Sequence, residues 1–123
     1  MSKIVTEGRR DGESVNWELH PRFSRDTRMC EAAEAMEDGT VVAVVADKVV
    51  AWVPGDEGAA GDVAGVLRGN YEPRTGGAKV TVTARFAVVY AECLTVPGAD
   101  DAAKAANLAT AIAALADLNI KAA

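Results

Sequence analysis

Residues 79–90, KVTVTARFAVVY, carry the clearest β-strand pattern in the chain and decide its fold class. Every second residue of this stretch is apolar or small, and one face of the strand would carry Val80, Val82, Ala84, Phe86 and Val88. Such alternation is typical of a strand with one face against a core. Because the stretch is longer than most strands, we predict that it bends or pairs at both ends.

Further short strands precede this stretch. Two β-rich runs, residues 40–46 and 48–53, are separated by Asp47, which predicts either a tight hairpin or a bent strand with one polar corner. Residues 63–67 have the composition of a short buried strand. Pro and Gly interrupt any regular ladder between these runs, so we expect loops at residues 54–61 and 70–77.

After the β-rich part, the sequence predicts one helix over residues 100–119. Asp100 or Asp101 offers an N-cap carboxylate, and residues 102–118 are rich in Ala and Leu, the strongest helix formers. An apolar stripe at helical spacing must pack on something, and its members are Leu108, Ala111, Ile112 and Leu115. Asn119 is a plausible stop signal, and Ile120 could anchor the tail to the domain.

Residues 1–24 differ from the rest of the chain, and we predict a flexible amino-terminal arm there. Only a short alternating stretch breaks the mixture of Gly, Arg and acidic residues, and it puts Val15, Trp17 and Leu19 on one face. A strand this short needs a sheet to join, either its own or a partner's. The fold class is therefore α+β and mainly β, with about six short strands and the terminal helix in a compact domain at residues 25–123.

The length and the net charge of the chain limit its possible functions. A chain of 123 residues suits one domain, and with 5% aromatic residues its small core is of a kind often completed by oligomerisation. Residues 1–28 carry a net charge of +1, and the remainder carries −6. An acidic body repels phosphate, so we expect no nucleic-acid binding and interpret Arg9-Arg10 as a solvated turn.

Neither a signal peptide nor a membrane span is indicated. The longest apolar run, residues 41–46, is far too short to cross a bilayer, so we expect a soluble protein made in the cytoplasm. Cys30 and Cys93 lack CxxC spacing and neighbouring ligands, which predicts small buried hydrophobes and no metal site. A disulfide between them stays open, although a cytosolic product would usually keep them reduced.

No catalytic or cofactor-binding residues are predicted, and we expect a protein that is not an enzyme. The single histidine, His20, lies in the arm, and the pairs Asp56-Glu57 and Asp100-Asp101 fall where solvated charge is ordinary. Phosphate-binding glycine motifs do not occur. Trp52 suits either a partly buried strand end or an interface anchor, and Trp17 is harder to explain as core because it lies in the arm.

The order of segments resembles the lambda-type phage head decoration protein family. Residues 22–27 look like the family's junction between arm and body, and the helical segment DDAAKAANLATAIAALADLNI, residues 100–120, looks like its terminal helix and apolar tail. Between them, EDGTVVAVVADKVVAWVPGDEGAAGDVAGVL at residues 37–67 is similar to its strand pair, loop and returning strand, and KVTVTARFAVVYAECLTVPG at residues 79–98 to its long β segment.

This resemblance implies a homotrimer at the three-fold positions of an expanded capsid, where it stabilises the head against the pressure of packaged DNA. The partner would be the major capsid protein of a tailed phage, and the location would be the capsid exterior of the virion. The capsid-binding arm would engage the shell, and its candidate residues are Val15, Trp17, Leu19, Pro21 and Phe23. Trp52 is the candidate interface anchor.

Two alternatives belong to other classes. The chain could be a small oligomeric ligand-binding or enzymatic β domain that uses the loops at residues 54–61 or 72–77. A thermal-shift screen with a clear small-molecule hit would favour that alternative. The chain could also be a tail or baseplate accessory protein, which the sequence distinguishes poorly from a head protein and which its position in the particle would settle.

Overall fold

The structure is a computed structural model that describes residues 14–123. It confirms a mainly β domain with a C-terminal helix, but these described residues contain eight strands where about six were predicted. In chain order, the elements are β1 (Val15–Glu18), α1 (Pro21–Ser24), β2 (Arg25–Cys30), β3 (Val41–Val45), β4 (Lys48–Ala51), β5 (Gly65–Arg68), β6 (Ala78–Thr83), β7 (Ala87–Val89), α2 (Asp101–Asp117) and β8 (Ile120–Ala122).

Five strands close into a barrel in the order β2-β4-β3-β5-β6. All neighbouring pairs are antiparallel except β2 and β4, which run parallel. Closure leaves this sheet without an unpaired edge. The principal core cluster consists of Cys30, Met36, Val42, Val49, Leu67, Tyr71, Val80 and Val82. Tyr71 satisfies its buried hydroxyl by donating to the carbonyl oxygen of Ala32 at 2.8 Å.

The long stretch at residues 79–90 divides between two sheets, as its length suggested. Its first part, β6, belongs to the barrel, and its last part, β7, lies at the centre of a three-stranded sheet in the order β1-β7-β8. Phe86 lies between them with φ of 50°, a left-handed conformation that ends the regular alternation. The predicted common face therefore holds through Ala84 and is wrong beyond it, because Ala87 is buried and Phe86 is exposed.

Helix α2 and strand β8 form the C-terminal part of the domain, largely as predicted. The Asp100 carboxylate caps the helix by accepting from the amide of Ala103 at 2.8 Å. Asn119 ends it in the left-handed conformation, and the buried Ile120 pairs with Ala87 in a parallel ladder. Of the predicted stripe, Ala111 and Leu115 are fully buried, and Leu108 and Ile112 are half-buried. Strand β8 thereby joins β7 in the three-stranded sheet that also contains β1.

The two β-rich runs form a tight hairpin, which decides between the alternatives left open above. Val45 pairs with Lys48, and both residues between them, Ala46 and Asp47, have positive φ. Left-handed conformations at both central positions match the right-handed twist of the flanking strands. Cys30 and Cys93 are not joined by a disulfide: Cys30 is buried in the barrel, as predicted, whereas Cys93 is half-buried.

The predicted arm falls partly within the described residues. Residues 1–13 lie outside them. Within residues 14–24, β1 pairs antiparallel with β7 of its own chain, so its partner sheet is the protein's own in this structure. The mobility of the arm and the boundary at residue 24 stay predictions.

Candidate interaction surface

Four large apolar side chains are exposed on the segments around β1, α1 and the start of β7. Trp17, Leu19, Phe23 and Phe86 expose 53%, 54%, 47% and 39% of their surface, respectively, and we call this set the aromatic patch. Phe23 and Phe86 stack, and the Leu19 amide bonds to the Phe86 carbonyl oxygen, so part of this set is clustered. Scattered exposed apolar residues are normal, whereas clustered ones mark a contact surface. The patch is therefore the strongest candidate for a binding site on the described residues.

Strand β1 presents Trp17 and Leu19 through its register with β7. Trp17 pairs with Val88 and Glu18 with Ala87, and the register shifts between Val15 and Trp17. Leu19 continues the ladder, because its amide donates to the carbonyl oxygen of Phe86 at 3.0 Å. The predicted alternation of β1 therefore holds from Trp17 onward and is interrupted before it.

The short helix α1 sets the position of Phe23. His20 caps this helix, since its Nδ1 accepts from the amide of Arg22 at 3.1 Å, and Pro21 follows at the first helical position. Ser24 then ties the helix to the residue before β7 by donating its hydroxyl to the carbonyl oxygen of Phe86 at 3.1 Å. A local sequence of cap, proline and serine thus holds Phe23 next to β7.

Arg85 contacts Phe23, which in turn stacks on Phe86. The Phe23 and Phe86 rings stack with centroids 5.2 Å apart, and the Arg85 guanidinium carbon lies 5.9 Å from the Phe23 ring centroid. Arg85 itself is held by Asp26, whose Oδ2 accepts from Nη2 at 2.7 Å, and its Nη1 donates to the Phe23 carbonyl oxygen. Preorganised aromatic side chains lose little conformational entropy on binding, which favours contact with a partner.

An ion-pair cluster beneath the patch joins β1 to the barrel. Glu18 accepts two hydrogen bonds from Arg25, at 2.9 Å from Nε and 2.5 Å from Nη2, and its Oε2 lies 3.8 Å from Nη1 of Arg68. The Glu18 side chain is only 13% exposed. The hydrogen bonds from Arg25 lower the pKa of the Glu18 carboxyl below its usual range, and the same contact raises the pKa of Arg25.

We expect E18Q to destabilise the protein by about 1–2 kcal/mol at neutral pH, since a charged and mostly buried acceptor is lost. A carboxyl whose pKa is lowered by folding stabilises the fold above its unfolded pKa and loses that contribution as the pH falls. The gap in melting temperature between E18Q and the parent should therefore close below about pH 4. Thermal melts from pH 3 to pH 7 measure it, with E57Q in an exposed loop as the control; an undiminished gap at pH 3 would contradict the argument.

Asp38 anchors the chain at the start of β1. Its buried carboxylate accepts from the amide of Ser14 at 2.7 Å through Oδ2 and from the amide of Gly69 at 2.7 Å through Oδ1. The backbone amide of Asp38 donates to Oδ1 of Asn70 at 2.8 Å. One side chain thus connects the chain at residue 14 to the loop after β5, and it fixes where β1 begins.

Four of the five predicted arm residues are exposed at the surface. Trp17, Leu19 and Phe23 come together in the aromatic patch, while Pro21 is exposed on α1 and Val15 is half-buried in β1. Phe86 and Arg85 were not predicted as part of a site, because the alternation at residues 79–90 put Phe86 on the face toward the core and gave no position for the predicted bend. The left-handed conformation of Phe86 has no local sequence signal such as glycine.

Trp52 is buried within its own chain. It is 3% exposed, packs with Val41 and Ala111, and donates its indole N–H to the carbonyl oxygen of Gly61 at 3.0 Å. This burial supports the strand-end alternative, and contact of Trp52 with a second subunit stays a prediction.

An apolar groove lies over Trp52, on a different part of the surface from the aromatic patch. Six of its apolar lining residues are Ala32, Ala35, Met36, Val41, Trp52 and Val96, and we call it the Trp52 groove. Neither of the loops considered above for a small ligand contributes to it. Across residues 14–123, no group of three or more His, Cys, Asp or Glu side chains could hold a metal ion, and no helix there is long and apolar enough to span a membrane.

The fold is a small β-barrel domain, and the aromatic patch is the strongest candidate surface for contact with another macromolecule on the described residues. The family model described as "HDPD: Bacteriophage lambda head decoration protein D" matches residues 4–120, and the chain belongs to this family. A search of curated proteins found no match, and a search of solved structures found none either. Membership confirms the resemblance noted in the sequence and makes the protein a structural component of the virion that decorates the phage head.

Proposed function

We propose that this protein binds as a homotrimer to the exterior of the expanded head, at its three-fold positions, and stabilises the head against the pressure of packaged DNA. Its partner is the major capsid protein of a tailed phage. Family membership supports decoration of the head. The aromatic patch is the observation that carries the proposal for this chain, because it gives a head protein a defined surface with which to hold the shell.

The patch has the composition of a protein-binding hot spot. Trp and other aromatic residues dominate the energy of such sites, since each removes a large apolar area from water at a small entropic cost. Trp17, Leu19 and Phe23 form its contact surface, and Phe86 supports Phe23 by stacking. Val15 and Pro21 flank these residues in sequence: Pro21 is exposed on α1, and Val15 is half-buried before the register shift in β1.

Oligomerisation is supported by the size of the core. The three buried clusters of the described residues contain mostly Val, Ala and Leu, and each such side chain removes only modest area from water. Small domains of this kind gain stability from additional burial between subunits. A trimer is what the family resemblance implies, and it is the arrangement that suits a three-fold position.

Cosedimentation with expanded heads of the source phage tests the proposal, together with light scattering of the free protein. We expect three chain masses in solution and pelleting that saturates at a fixed ratio to the shell subunit. Unexpanded shells are the matched control and should bind less. A monomer in light scattering would contradict the trimer, and no pelleting with expanded heads would contradict decoration of the shell.

A further inference from the structure

One side of the barrel sheet collects basic side chains, although the protein as a whole has a net charge of −5. Arg68 of β5 lies directly opposite Thr81 of β6, and Thr81 lies opposite Thr27 of β2. Lys79 lies two residues before Thr81 on β6. Directly opposite residues of antiparallel strands point to the same side of a sheet, as do residues two apart on one strand. These four side chains therefore share one face.

This face points away from the barrel core. Val80 and Val82, which alternate with Lys79 and Thr81 along β6, belong to the principal core cluster on the opposite face. Lys79 is exposed, and Arg68 is half-buried. Diagonal neighbours on paired strands lie about 7–8 Å apart, so one segment of a partner can contact both cations at once.

The positive charge of this face is only partly balanced within residues 14–123. Arg25 lies two residues before Thr27 on β2 and binds Glu18, whose Oε2 is 3.8 Å from Nη1 of Arg68. Among the described residues, Arg68 forms no other ion pair and Lys79 forms none. Glu18 thus divides one negative charge between two arginines, and Lys79 adds a third positive charge. We call Arg25, Arg68 and Lys79 the basic strip.

The chemistry of the basic strip fits carboxylates of another protein. Guanidinium and ammonium groups donate strong hydrogen bonds to carboxylate oxygens, and the hydroxyls of Thr27 and Thr81 on the same face are further donors. A nucleic acid carries a continuous line of phosphates, which the acidic remainder of the chain repels. A protein segment can instead present a few carboxylates to the strip alone.

The basic strip also adjoins the aromatic patch. Glu18, which binds Arg25 and lies close to Arg68, directly follows Trp17 in β1. A partner seated on Trp17 is therefore beside the strip as well. Charged pairs next to an apolar contact fix its register and speed association, so the two surfaces suit one interface.

We propose that the basic strip binds an acidic segment of the major capsid protein, beside the shell contact of the aromatic patch. This inference rests on the proposed function and adds to it the chemistry that the shell must present. Salt screens charge pairs at a surface and leaves apolar contacts in place. Part of the affinity for heads should therefore fall as the salt concentration rises.

R68Q/K79Q removes two charges of the strip and leaves the bonds between Arg25 and Glu18 in place. We expect it to bind expanded heads about tenfold more weakly than the parent in about 0.1 M salt. In about 1 M salt the difference should nearly disappear, because the Debye length shortens from about 10 Å to about 3 Å. Cosedimentation over a range of protein concentrations at both salt concentrations measures it.

Two further variants control for charge and for side-chain shape. K104Q/K121Q makes the same change in net charge at exposed lysines of α2 and β8 and should bind like the parent. R68K/K79R keeps both charges of the strip and should retain most of the affinity, because screening acts on charge and not on the shape of the group.

Several results would overturn the inference while head decoration stands. If the parent pellets with expanded heads and R68Q/K79Q pellets equally at both salt concentrations, the strip does not contact the shell. Equal weakening by K104Q/K121Q would attribute the effect to net charge. Loss of the trimer in light scattering of R68Q/K79Q would assign the strip to the subunit interface. Failure of the parent itself to pellet would instead contradict the proposed function, so the two failures are distinguishable.

Discussion

D38A should unfold about 15 °C below the parent protein, the largest stability loss that we expect from any one side chain. The Asp38 carboxylate accepts from the buried amide of Ser14 and from the amide of Gly69. Truncation would leave both donors without their acceptor, and each unsatisfied group costs about 1–3 kcal/mol. A combined loss of about 3 kcal/mol corresponds to roughly 15 °C for a domain of this size.

Thermal melts at neutral pH measure this effect, with D62A as the matched control at an exposed aspartate. D62A should melt within a few degrees of the parent, since substitutions on the surface change stability by less than about 0.5 kcal/mol. Equal melting temperatures for D38A and the parent would show that the two amides find other acceptors. The role of Asp38 as the anchor of β1 would then be wrong.

The helix was the most predictable element because its signals are local. The Asp100 cap, the run of Ala and Leu, and the stop at Asn119 all lie within one short segment. The strand pattern at residues 79–90 was also correct as β structure. Its division at Phe86 was not indicated, because it depends on the two different sheets that β6 and β7 join. Periodicity reports the face of a strand and not the identity of its neighbours.

The candidate site was likewise predictable only where its residues are neighbours in sequence. Trp17 and Leu19 could be selected from the alternation of the arm, which is a property of neighbouring residues, and Phe23 from the family resemblance. Phe86 and Arg85 join them only because Leu19 pairs with Phe86 across the sheet and Asp26 orients Arg85. The function of Asp38 likewise requires residues 14 and 69 to meet. Contacts between distant parts of the chain have no signal in one sequence.

W17A/F23A should weaken binding to expanded heads by at least 100-fold, the largest functional effect that we expect. Truncation of an aromatic hot-spot residue costs about 2 kcal/mol or more, and two such changes exceed the roughly 2.7 kcal/mol that a 100-fold loss requires. A trimer would repeat the loss at each of its three patches, which adds to the effect through avidity. Cosedimentation over a range of protein concentrations measures the change.

The variant tests the surface and not the fold, because Trp17 and Phe23 are both about half exposed in the chain. V53A is the matched control: Val53 is 47% exposed and lies outside the patch, so its truncation should leave head binding unchanged. Light scattering on W17A/F23A decides between two uses of the patch. A trimer that no longer binds heads places the patch against the shell, whereas loss of the trimer would assign it to the subunit interface and contradict the proposed capsid contact.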